Sequence, residues 1–217
     1  MEQIDPAEVR FDDRGLVACV VQDWRTGEVL TVAYMNAEAL ERTRATGETH
    51  FWSRSREELW HKGEGSGNVQ RVRALRADCD ADALVALVEP AGPACHTGER
   101  TCFYRSLAQG SVAGAPAAAE NGAIAPHEAL PALERTIADR RDADPAGSYT
   151  AALLADPARI GEKVEEEAEE VVRAAADESD ARVREEAADV LYHLDVLLAS
   201  RGLSVADAFA ELNARRR

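Results

Sequence analysis

An almost uncharged segment rich in alanine, glycine and proline divides the sequence into two parts with different hydrophobic patterns. The segment covers residues 108–126. Because it has few large apolar side chains to bury, it is typical of a linker. Short apolar or alternating runs precede it, and longer runs with helical spacing follow it. We therefore expect a first domain at residues 1–110, a linker at residues 111–126 and a second domain at residues 127–217, with the boundary near Ala115.

The first part has the pattern of a strand-rich α+β domain. Short runs rich in apolar and β-branched residues predict strands, and these runs lie at residues 16–21, 29–35, 49–53, 69–73 and 83–88. Thr26 and Gly27 suit a hairpin turn between the first two runs. Asn36 can cap a helix over residues 37–46, and Gly47 can end it.

The second part has the pattern of an all-α helical bundle. Asp156 before Pro157 predicts the start of a helix over residues 159–176, and Ser179 that of a helix over residues 180–199. Ser204 and Asp207 have capping-box spacing ahead of a last helix at residues 205–215. Residues 128–141 also favour a helix. The apolar stripes of these helices need packing partners, which a homo-oligomer such as a homodimer would supply.

The charge of the chain disfavours one class of partner. There are 25 lysines and arginines against 40 aspartates and glutamates, a formal net charge of −15. Because a protein that grips nucleic acid needs a basic face, we expect no nucleic-acid partner. The sequence shows neither a signal peptide nor an apolar run of membrane-spanning length. We therefore expect a cytoplasmic protein without a membrane partner, in which the four cysteines are metal ligands or buried thiols rather than disulfides.

A short acidic run surrounds Cys79. In an extended chain Asp78, Asp80 and Asp82 would point to one side and Cys79 to the other. Three carboxylates so close together repel one another and are best tolerated around a cation such as Mg²⁺ or Ca²⁺. The run also begins like an EF-hand loop, but Ala83 stands where that loop needs glycine. We therefore reject the EF-hand.

The spacing of the cysteines leaves two interpretations open. Cys79, Cys95 and Cys102 do not have the paired spacing of a structural zinc finger. Three ligands with an open fourth position would suit a catalytic zinc, and three buried thiols would explain the spacing equally well. The flanking residues, including His96, favour the metal. Cys19 lies inside an apolar strand and is better explained as a core thiol.

Residues 51–68 combine basic, aromatic, hydroxyl and glycine residues. Arginine can bind a phosphate through two hydrogen bonds, tryptophan can stack on a base, and glycine lets a backbone approach a ligand. The candidate substrate-binding residues are Trp52, Arg54, Arg56, Trp60 and Ser66. The alternative is a polar surface hairpin with half-buried tryptophans.

These segments together resemble phosphoribosyl-AMP cyclohydrolase, an enzyme of histidine biosynthesis. The similarity covers residues 10–106 and rests on W-S-R-S-R-x-x-L-W-H-K-G-E-x-S-G-N, D-C-D-x-D-A-L, and A-C-H-T-G with C-F. Gly65 departs from the family, which more often has threonine there. The resemblance implies zinc on Cys79, Cys95 and Cys102, shared across a dimer interface, and Mg²⁺ on Asp78, Asp80 and Asp82.

That resemblance also implies a reaction. A zinc-activated water would attack carbon six of the adenine ring of phosphoribosyl-AMP and open the ring. His96 or His61 could transfer the protons, since histidine titrates near neutral pH, and we do not choose between them. Lys62, next to His61, is a further catalytic candidate.

The helices of the second part carry a second acidic pattern. Glu166, Glu167 and Glu170 share one helix face, and Glu186 and Asp189 share a face of the next helix. Two antiparallel helices could bring these carboxylates into one Mg²⁺ cluster. The alternative is a pair of solvated acidic faces. We expect one of Glu186 and Asp189 to lie near the core, and Glu165 and Glu169 to face solvent.

The second part resembles phosphoribosyl-ATP pyrophosphohydrolase, one of the all-α nucleoside triphosphate pyrophosphohydrolases. The similarity covers residues 129–216 and rests on G-S-Y-T-x-x-L-L, K-V-x-E-E-A-x-E-V-V and E-x-A-D-V-L-Y-H-L. Glu165 departs from the family, in which glycine is frequent there. The resemblance implies that Mg²⁺ is held by Glu166, Glu167, Glu170, Glu186 and Asp189. Water would then attack between the α and β phosphates.

The chain has only two lysines, Lys62 and Lys163, and both lie inside these motifs. A compact ammonium group therefore suits both sites, and Lys163 is a candidate substrate-binding residue. We expect a bifunctional, ATP-binding hydrolase of phosphoribosyl nucleotides that uses Zn²⁺ and Mg²⁺. The rival hypotheses are a housecleaning nucleotide pyrophosphatase with a zinc-stapled regulatory domain, and a metal-binding scaffold without enzyme activity.

Overall fold

The computed structural model describes residues 3–105 and 125–216. The chain forms two compact units, Met1–Ala123 and Ile124–Arg217. Most of the predicted linker, residues 111–124, lies outside the described residues, so the predicted domain bounds stay a prediction. In the described part of the chain, no helix combines the length and the apolar character needed to cross a membrane.

Residues 3–105, the described part of the first unit, form six strands and one α-helix. Their bounds are β1 Val17–Asp23, β2 Val29–Met35, α1 Ala37–Thr46, β3 His50–Ser53, β4 Glu58–His61, β5 Gln70–Ala77 and β6 Ala83–Pro90. Four strands form a sheet in the order β2-β1-β6-β5, and β3 and β4 form a separate hairpin. The prediction of a strand-rich α+β domain is therefore confirmed.

The pairing of β1 fixes what lies at each end of the sheet. β1 is parallel to β6, with Ala18 opposite Ala83, and antiparallel to β2, with Gln22 opposite Val29. The turn from β5 to β6 therefore lies at the end where β1 starts. The beginning of β2 lies at the other end.

The core of the first unit follows the alternation of β1. Every second residue of this strand is buried, from Val17 through Cys19 and Val21 to Asp23. Cys19 is fully buried, and this burial raises the pKa of its thiol to about 12. The prediction of a core thiol there is confirmed. Strand β4 was not predicted, because its mixture of charged and aromatic residues hides the alternation.

The second unit consists of α-helices joined by short turns. Their bounds are α2 Ala129–Asp139, α3 Tyr149–Leu154, α4 Pro157–Asp177, α5 Asp180–Ser200 and α6 Val205–Ala214. Asp156 caps α4 by accepting a hydrogen bond from Arg159 N, and Ser179 caps α5 in the same way from Arg182 N. The prediction of an all-α domain and of these starts is confirmed. The six-residue α3 was not predicted, since it is too short to show a period.

The predicted apolar stripe of α4 is buried only in part. Ile160 lies in the core with Ile137, Leu153 and Val196, whereas Val172 is 71% exposed. Several large apolar side chains of the unit are similarly exposed: Tyr149, Leu191, Leu194, Leu203, Phe209 and Leu212. The single chain therefore leaves apolar surface that a second copy could cover.

Candidate active sites

A cavity of about 540 Å³ opens in the first unit. It lies beside the middle of β2, where Thr31, Val32 and Ala33 form one wall. Seven residues that the sequence singled out line it together: Trp60, His61, Lys62, Ser66, Cys95, His96 and Cys102. Loops distant in sequence thus bring thiol, imidazole, ammonium and hydroxyl groups to one place.

Cys95, Cys102 and Lys62 form the chemical centre of this cavity. The Thr97 hydroxyl donates a hydrogen bond to Cys95 Sγ at 3.0 Å, and this bond lowers the pKa of the Cys95 thiol. Loss of contact with water raises the pKa of Cys102, while a hydrogen bond from Thr31 opposes the shift. Burial lowers the pKa of Lys62, and the charges of Cys102 and Cys95 oppose that change. The two thiols therefore differ, because the pKa of Cys95 is lowered and that of Cys102 is raised.

Gly63 fixes the backbone next to Lys62. Its φ angle is +90°, and an added Cβ would lie 2.3 Å from Val69 N and 2.4 Å from the Asn68 carbonyl carbon. A side chain at this position would collide with backbone atoms that cannot move independently. Glycine is therefore required for the loop that presents Lys62 to the cysteines.

The two candidate histidines have different surroundings. His61 Nε2 lies 2.8 Å from Glu48 Oε2, and its ring stacks on His50 with the centroids 4.4 Å apart. His96 Nδ1 lies 3.9 Å from Cys95 Sγ and its side chain is exposed. A carboxylate partner orients the His61 ring, whereas His96 is placed by the cysteine next to it in the chain.

The other predicted substrate-binding residues do not line this cavity. Trp52 is half-buried on β3 opposite Leu59. The guanidinium of Arg54 lies 3.9 Å from the centre of the Tyr34 ring. Arg56 forms an exposed ion pair with Glu58 at 2.9 Å. In the single chain these residues have the character of a polar surface hairpin.

The three aspartates converge, but not for the predicted reason. Residues 78–82 form a turn rather than an extended segment, and Ala81 adopts a φ of +62°. Asp78 Oδ1 accepts hydrogen bonds from the backbone of Asp82 at 3.0 Å and Ala83 at 3.2 Å. The turn folds the chain around Asp78, so alternation along a strand was the wrong argument.

The resulting carboxylate cluster is exposed and strongly repulsive. One oxygen from each of Asp78, Asp80 and Asp82 lies within 4.8 Å of the others. The charges of Asp80 and then Asp78 raise the pKa of Asp82. Arg10 lies 3.9 Å from Asp80 as an exposed partial counter-charge. A bound cation would offset the repulsion in such a cluster and stabilise it.

Cys79 lies away from the other two cysteines. It is exposed in the turn between β5 and β6, at the end of the sheet where Ala18 pairs with Ala83. Cys102 donates its backbone N–H to Leu30 O at 2.8 Å, at the opposite end. The intervening stretch of β1 is about four residues, or roughly 13 Å. Within residues 3–105 and 125–216, no set of three close metal-binding side chains includes a cysteine.

The second unit brings three of the five predicted carboxylates together. Oxygens of Glu167 on α4 and of Glu186 and Asp189 on α5 lie within 4.8 Å of one another. Glu167 and Glu186 are buried, with 7% and 3% exposure. The expectation that one acid of α5 points to the core is confirmed. Helix pairing therefore assembles this cluster within one chain.

Two basic side chains neutralise these acids. Lys163 Nζ lies 2.7 Å from Glu166 Oε2 and 2.8 Å from Glu167 Oε1, and its hydrogen bond to Glu166 raises the pKa of the lysine. Arg182 contacts Glu186 and lies 2.6 Å from Glu185. The buried carboxylates are therefore compensated by cations that a metal or a substrate phosphate can displace.

The remaining predicted acids have other positions. Glu166 is exposed and pairs with Lys163. Glu170 lies 2.9 Å from Arg173, so both are outside the group of three. Glu165 and Glu169 are exposed, which confirms the expectation that they face solvent.

Sequence reasoning missed His193. This residue is 5% exposed, and its Nδ1 lies 2.9 Å from the Asp189 carbonyl oxygen and 3.8 Å from Glu167 Oε1. Its Nε2 lies 3.1 Å from the hydroxyl of Tyr149 on α3. His193 thus joins both acidic helices to the G-S-Y-T segment. Its place four residues after Asp189, one helical turn away, was the available signal.

Comparisons with known proteins cover both units. Residues 31–104 match the family model of phosphoribosyl-AMP cyclohydrolase, and residues 130–216 match that of phosphoribosyl-ATP pyrophosphohydrolase. The "Histidine biosynthesis bifunctional protein HisIE" of Halalkalibacterium halodurans is 49% identical over 97% of this chain and 96% of its own length. Proteins of the same name from Bacillus subtilis and Thermus thermophilus are 46% and 47% identical. Each alignment covers 99% of this chain, with 97% and 95% of the relative.

Proposed function

Because this chain belongs to the HisIE family of bifunctional histidine-biosynthesis proteins, we propose how its two units bind metals and substrates. The protein is a bifunctional hydrolase. Its C-terminal part hydrolyses phosphoribosyl-ATP to phosphoribosyl-AMP and pyrophosphate, and its N-terminal part opens the adenine ring of phosphoribosyl-AMP. The assignment of metals, of the dimer and of residue roles is our proposal.

The cyclohydrolase site holds zinc on Cys95 and Cys102 of one chain and on Cys79 of a second copy. Thiolates suit zinc, and the lowered pKa of Cys95 supports a thiolate in this cavity. The separation of Cys79 from the other two cysteines supports a shared site, because a single chain does not complete the set. Zinc bound there supplies a water activated for attack near neutral pH.

A homodimer is supported by the surface near this cavity. β2 is an edge strand of the sheet and carries the exposed apolar side chains of Val29 and Val32, with Trp24 on the preceding turn. Exposed apolar groups at a sheet edge favour pairing with another chain. A second copy that brings Cys79 to the cavity brings its neighbouring aspartates as well.

Several side chains of the cavity have separate roles in ring opening. His61, oriented by Glu48, transfers a proton between the attacking water and the ring, and His96 is the alternative for this role. Lys62 places a positive charge beside the thiolates and the reacting ring.

Trp60 stacks on the adenine and Ser66 donates a hydrogen bond to the ribosyl phosphate. Mg²⁺ held by Asp78, Asp80 and Asp82 neutralises substrate phosphate.

The pyrophosphohydrolase site holds Mg²⁺ on Glu167, Glu186 and Asp189, with Glu166 and Glu170 completing it after they leave their basic partners. Bound Mg²⁺ supplies charge that stabilises the phosphates during attack. Lys163 leaves Glu166 and Glu167 and binds a phosphate of the incoming substrate. The geometry that carries this proposal is the convergence of three carboxylates from two helices, of which Glu167 and Glu186 are buried and Asp189 is exposed.

We also propose a compartment and partners for the protein from its cysteines and its charge. All four cysteines are free, which suits a reducing compartment, and we assign the protein to the cytoplasm. The net charge of −15 disfavours nucleic acid as a partner. Its partners are phosphoribosyl nucleotides and a second copy of the chain.

The test is removal and selective return of metals. Protein treated with a chelator should lose both activities on phosphoribosyl-ATP. Mg²⁺ alone should restore pyrophosphate release with accumulation of phosphoribosyl-AMP, and added Zn²⁺ should restore ring opening. Ring opening that returns with Mg²⁺ alone, in protein shown to be free of zinc, would refute the zinc assignment.

A further inference from the structure

Arg100 fastens the loop that carries Cys95 and Cys102 to the turn between β1 and β2. Its Nε lies 2.7 Å from Glu28 Oε2, and its Nη2 lies 2.8 Å from Asp23 Oδ2. The two carboxylates are nearly inaccessible, with side-chain exposures of 8% and 5%. The guanidinium therefore bridges two buried carboxylates, and removing a charged partner of buried carboxylates is costly.

The backbone around Arg100 connects this ion cluster to both cysteines. Arg100 O accepts a hydrogen bond from Ala94 N at 3.0 Å, and Cys95 donates its N–H to Glu99 O at 3.1 Å. On the other side, the Thr101 hydroxyl donates to Val29 O at 2.7 Å, and Cys102 donates to Leu30 O. Arg100 thus sits between the two thiols, on a segment tied to each of them.

Asp23 and Glu28 also accept hydrogen bonds within the turn between β1 and β2. Asp23 Oδ1 accepts hydrogen bonds from the backbone of Arg25 at 2.8 Å and of Thr26 at 3.0 Å. The Thr26 hydroxyl also donates to Glu28 Oε2 at 2.9 Å. Both carboxylates are therefore held by the turn as well as by Arg100.

We propose that Arg100 is a positioning residue for the cyclohydrolase, which holds Cys95 and Cys102 at the separation that lets both bind one metal ion. This inference rests on the zinc site proposed above. Ligand positions must be kept within about 0.5 Å for a tight metal site, and a loop with few buried apolar groups needs such a fastening. Lysine is a point charge and cannot address the two carboxylates in the same bidentate way.

The experiment measures metal binding directly on the full chain. Zinc affinity is determined by competition with a chromogenic chelator, and the environment of the thiolates by the absorption of bound Co²⁺. Folding of the first unit is followed by tryptophan fluorescence, because all three tryptophans, Trp24, Trp52 and Trp60, lie there. Arg73→Gln is the matched control, since Arg73 forms an exposed pair with Glu89 in the same unit.

Arg100→Gln should weaken zinc binding by about 10- to 100-fold, the range seen when support of a metal ligand is lost. It should also alter the cobalt spectrum and lower ring opening while pyrophosphate release stays unchanged. Arg100→Lys keeps a cation for Asp23 and Glu28, and so preserves folding, but should still weaken zinc binding severalfold. Arg73→Gln should leave every readout as in the wild type.

Two results would overturn the inference, and they are distinguishable. Wild-type zinc affinity and cobalt spectrum in folded Arg100→Gln or Arg100→Lys would overturn the role of Arg100 and leave the zinc site intact. If replacing Cys95 and Cys102 left the cobalt absorption of the wild type unchanged, the zinc proposal would be overturned, and this inference with it.

Discussion

The two carboxylate clusters of the chain are built in opposite ways. Asp78, Asp80 and Asp82 lie within five residues on an exposed turn. Glu167, Glu186 and Asp189 come from two helices, and the first two of them are buried. The first cluster sits beside Cys79, whose proposed co-ligands lie at the other end of the sheet. The second is assembled within one helix pair. In our proposal the cluster that is local in sequence therefore belongs to a site shared by two copies, and the non-local cluster belongs to a site within one chain.

The difference follows from how much of a site a turn and a pair of helices can each surround. A turn at the end of a sheet presents its side chains outward, so the remaining ligands and the walls have to come from another surface. Two antiparallel helices face each other along their length and exclude water between them. We therefore expect ring opening to depend on association of two copies, and the Mg²⁺ ligands of pyrophosphate release to come from one chain.

Because the two proposed sites use different residues, the two activities should be separable by single substitutions. Cys95→Ser should reduce ring opening by more than about 100-fold, because loss of a ligand costs more than loss of a supporting contact. Pyrophosphate release in the same sample should stay within about twofold of wild type. Both products are followed over time from phosphoribosyl-ATP. Loss of both activities in folded protein would show that the sites are not independent.

Glu167→Gln is the reciprocal change. It removes one charge from the buried cluster and should lower pyrophosphate release by more than about 100-fold, as expected for a metal ligand. Ring opening should be unchanged when phosphoribosyl-AMP is supplied directly. Glu165→Gln, on the exposed face of the same helix, is the control. Equal losses in the two variants would point to bulk charge rather than a defined cluster.

Sequence reasoning anticipated the helical cluster well and the turn less well. Glu167, Glu186 and Asp189 were among five acids expected from helix-face spacing, because that spacing fixes direction once helices form. The same spacing also indicated Glu170, which pairs with Arg173 instead. For Asp78, Asp80 and Asp82 the closeness of the carboxylates was anticipated, but the backbone that produces it was not. The left-handed Ala81 cannot be read from an alanine, which rarely adopts that conformation.

Long-range partners were the part that sequence could not supply. Arg100 meets Asp23 and Glu28 more than 70 residues earlier in the chain, and nothing in the local pattern of either segment indicates the other. The same holds for the carboxylate of Glu48 that orients His61. Trp52, Arg54 and Arg56 share a motif with Trp60 and Lys62 but not a wall of the cavity, because the β3–β4 hairpin turns them elsewhere.

A smaller effect should distinguish Asp195 from the proposed metal ligands of the second unit. Asp195 is 1% exposed, and burial, then the charge of Glu134, raises the pKa of Asp195 to about 6. The fold therefore prefers the protonated acid, and this stability is lost as pH rises from about 4 through 6. Asp195→Asn should raise the free energy of unfolding at pH 7 by on the order of 1–3 kcal/mol, with little gain at pH 4.

Urea unfolding followed by far-ultraviolet circular dichroism measures this effect at each pH. Pyrophosphate release should stay within about twofold of wild type, since Asp195 lies outside the group of three carboxylates. Glu169→Gln, an exposed neutralisation, controls for net charge. A stability gain that is the same at pH 4 and pH 7 would contradict the assigned origin.

Complementation between two inactive variants shows whether the proposed zinc ligands come from two copies of the chain. Cys79→Ser and Cys95→Ser are each expected to lack ring opening, and the two are co-expressed or refolded together. In a mixed dimer one site would then have intact Cys79, Cys95 and Cys102. With random pairing, about a quarter of wild-type ring opening should return, while pyrophosphate release is the same in every sample. If mixed dimers form and no ring opening returns, the zinc ligands do not come from two copies.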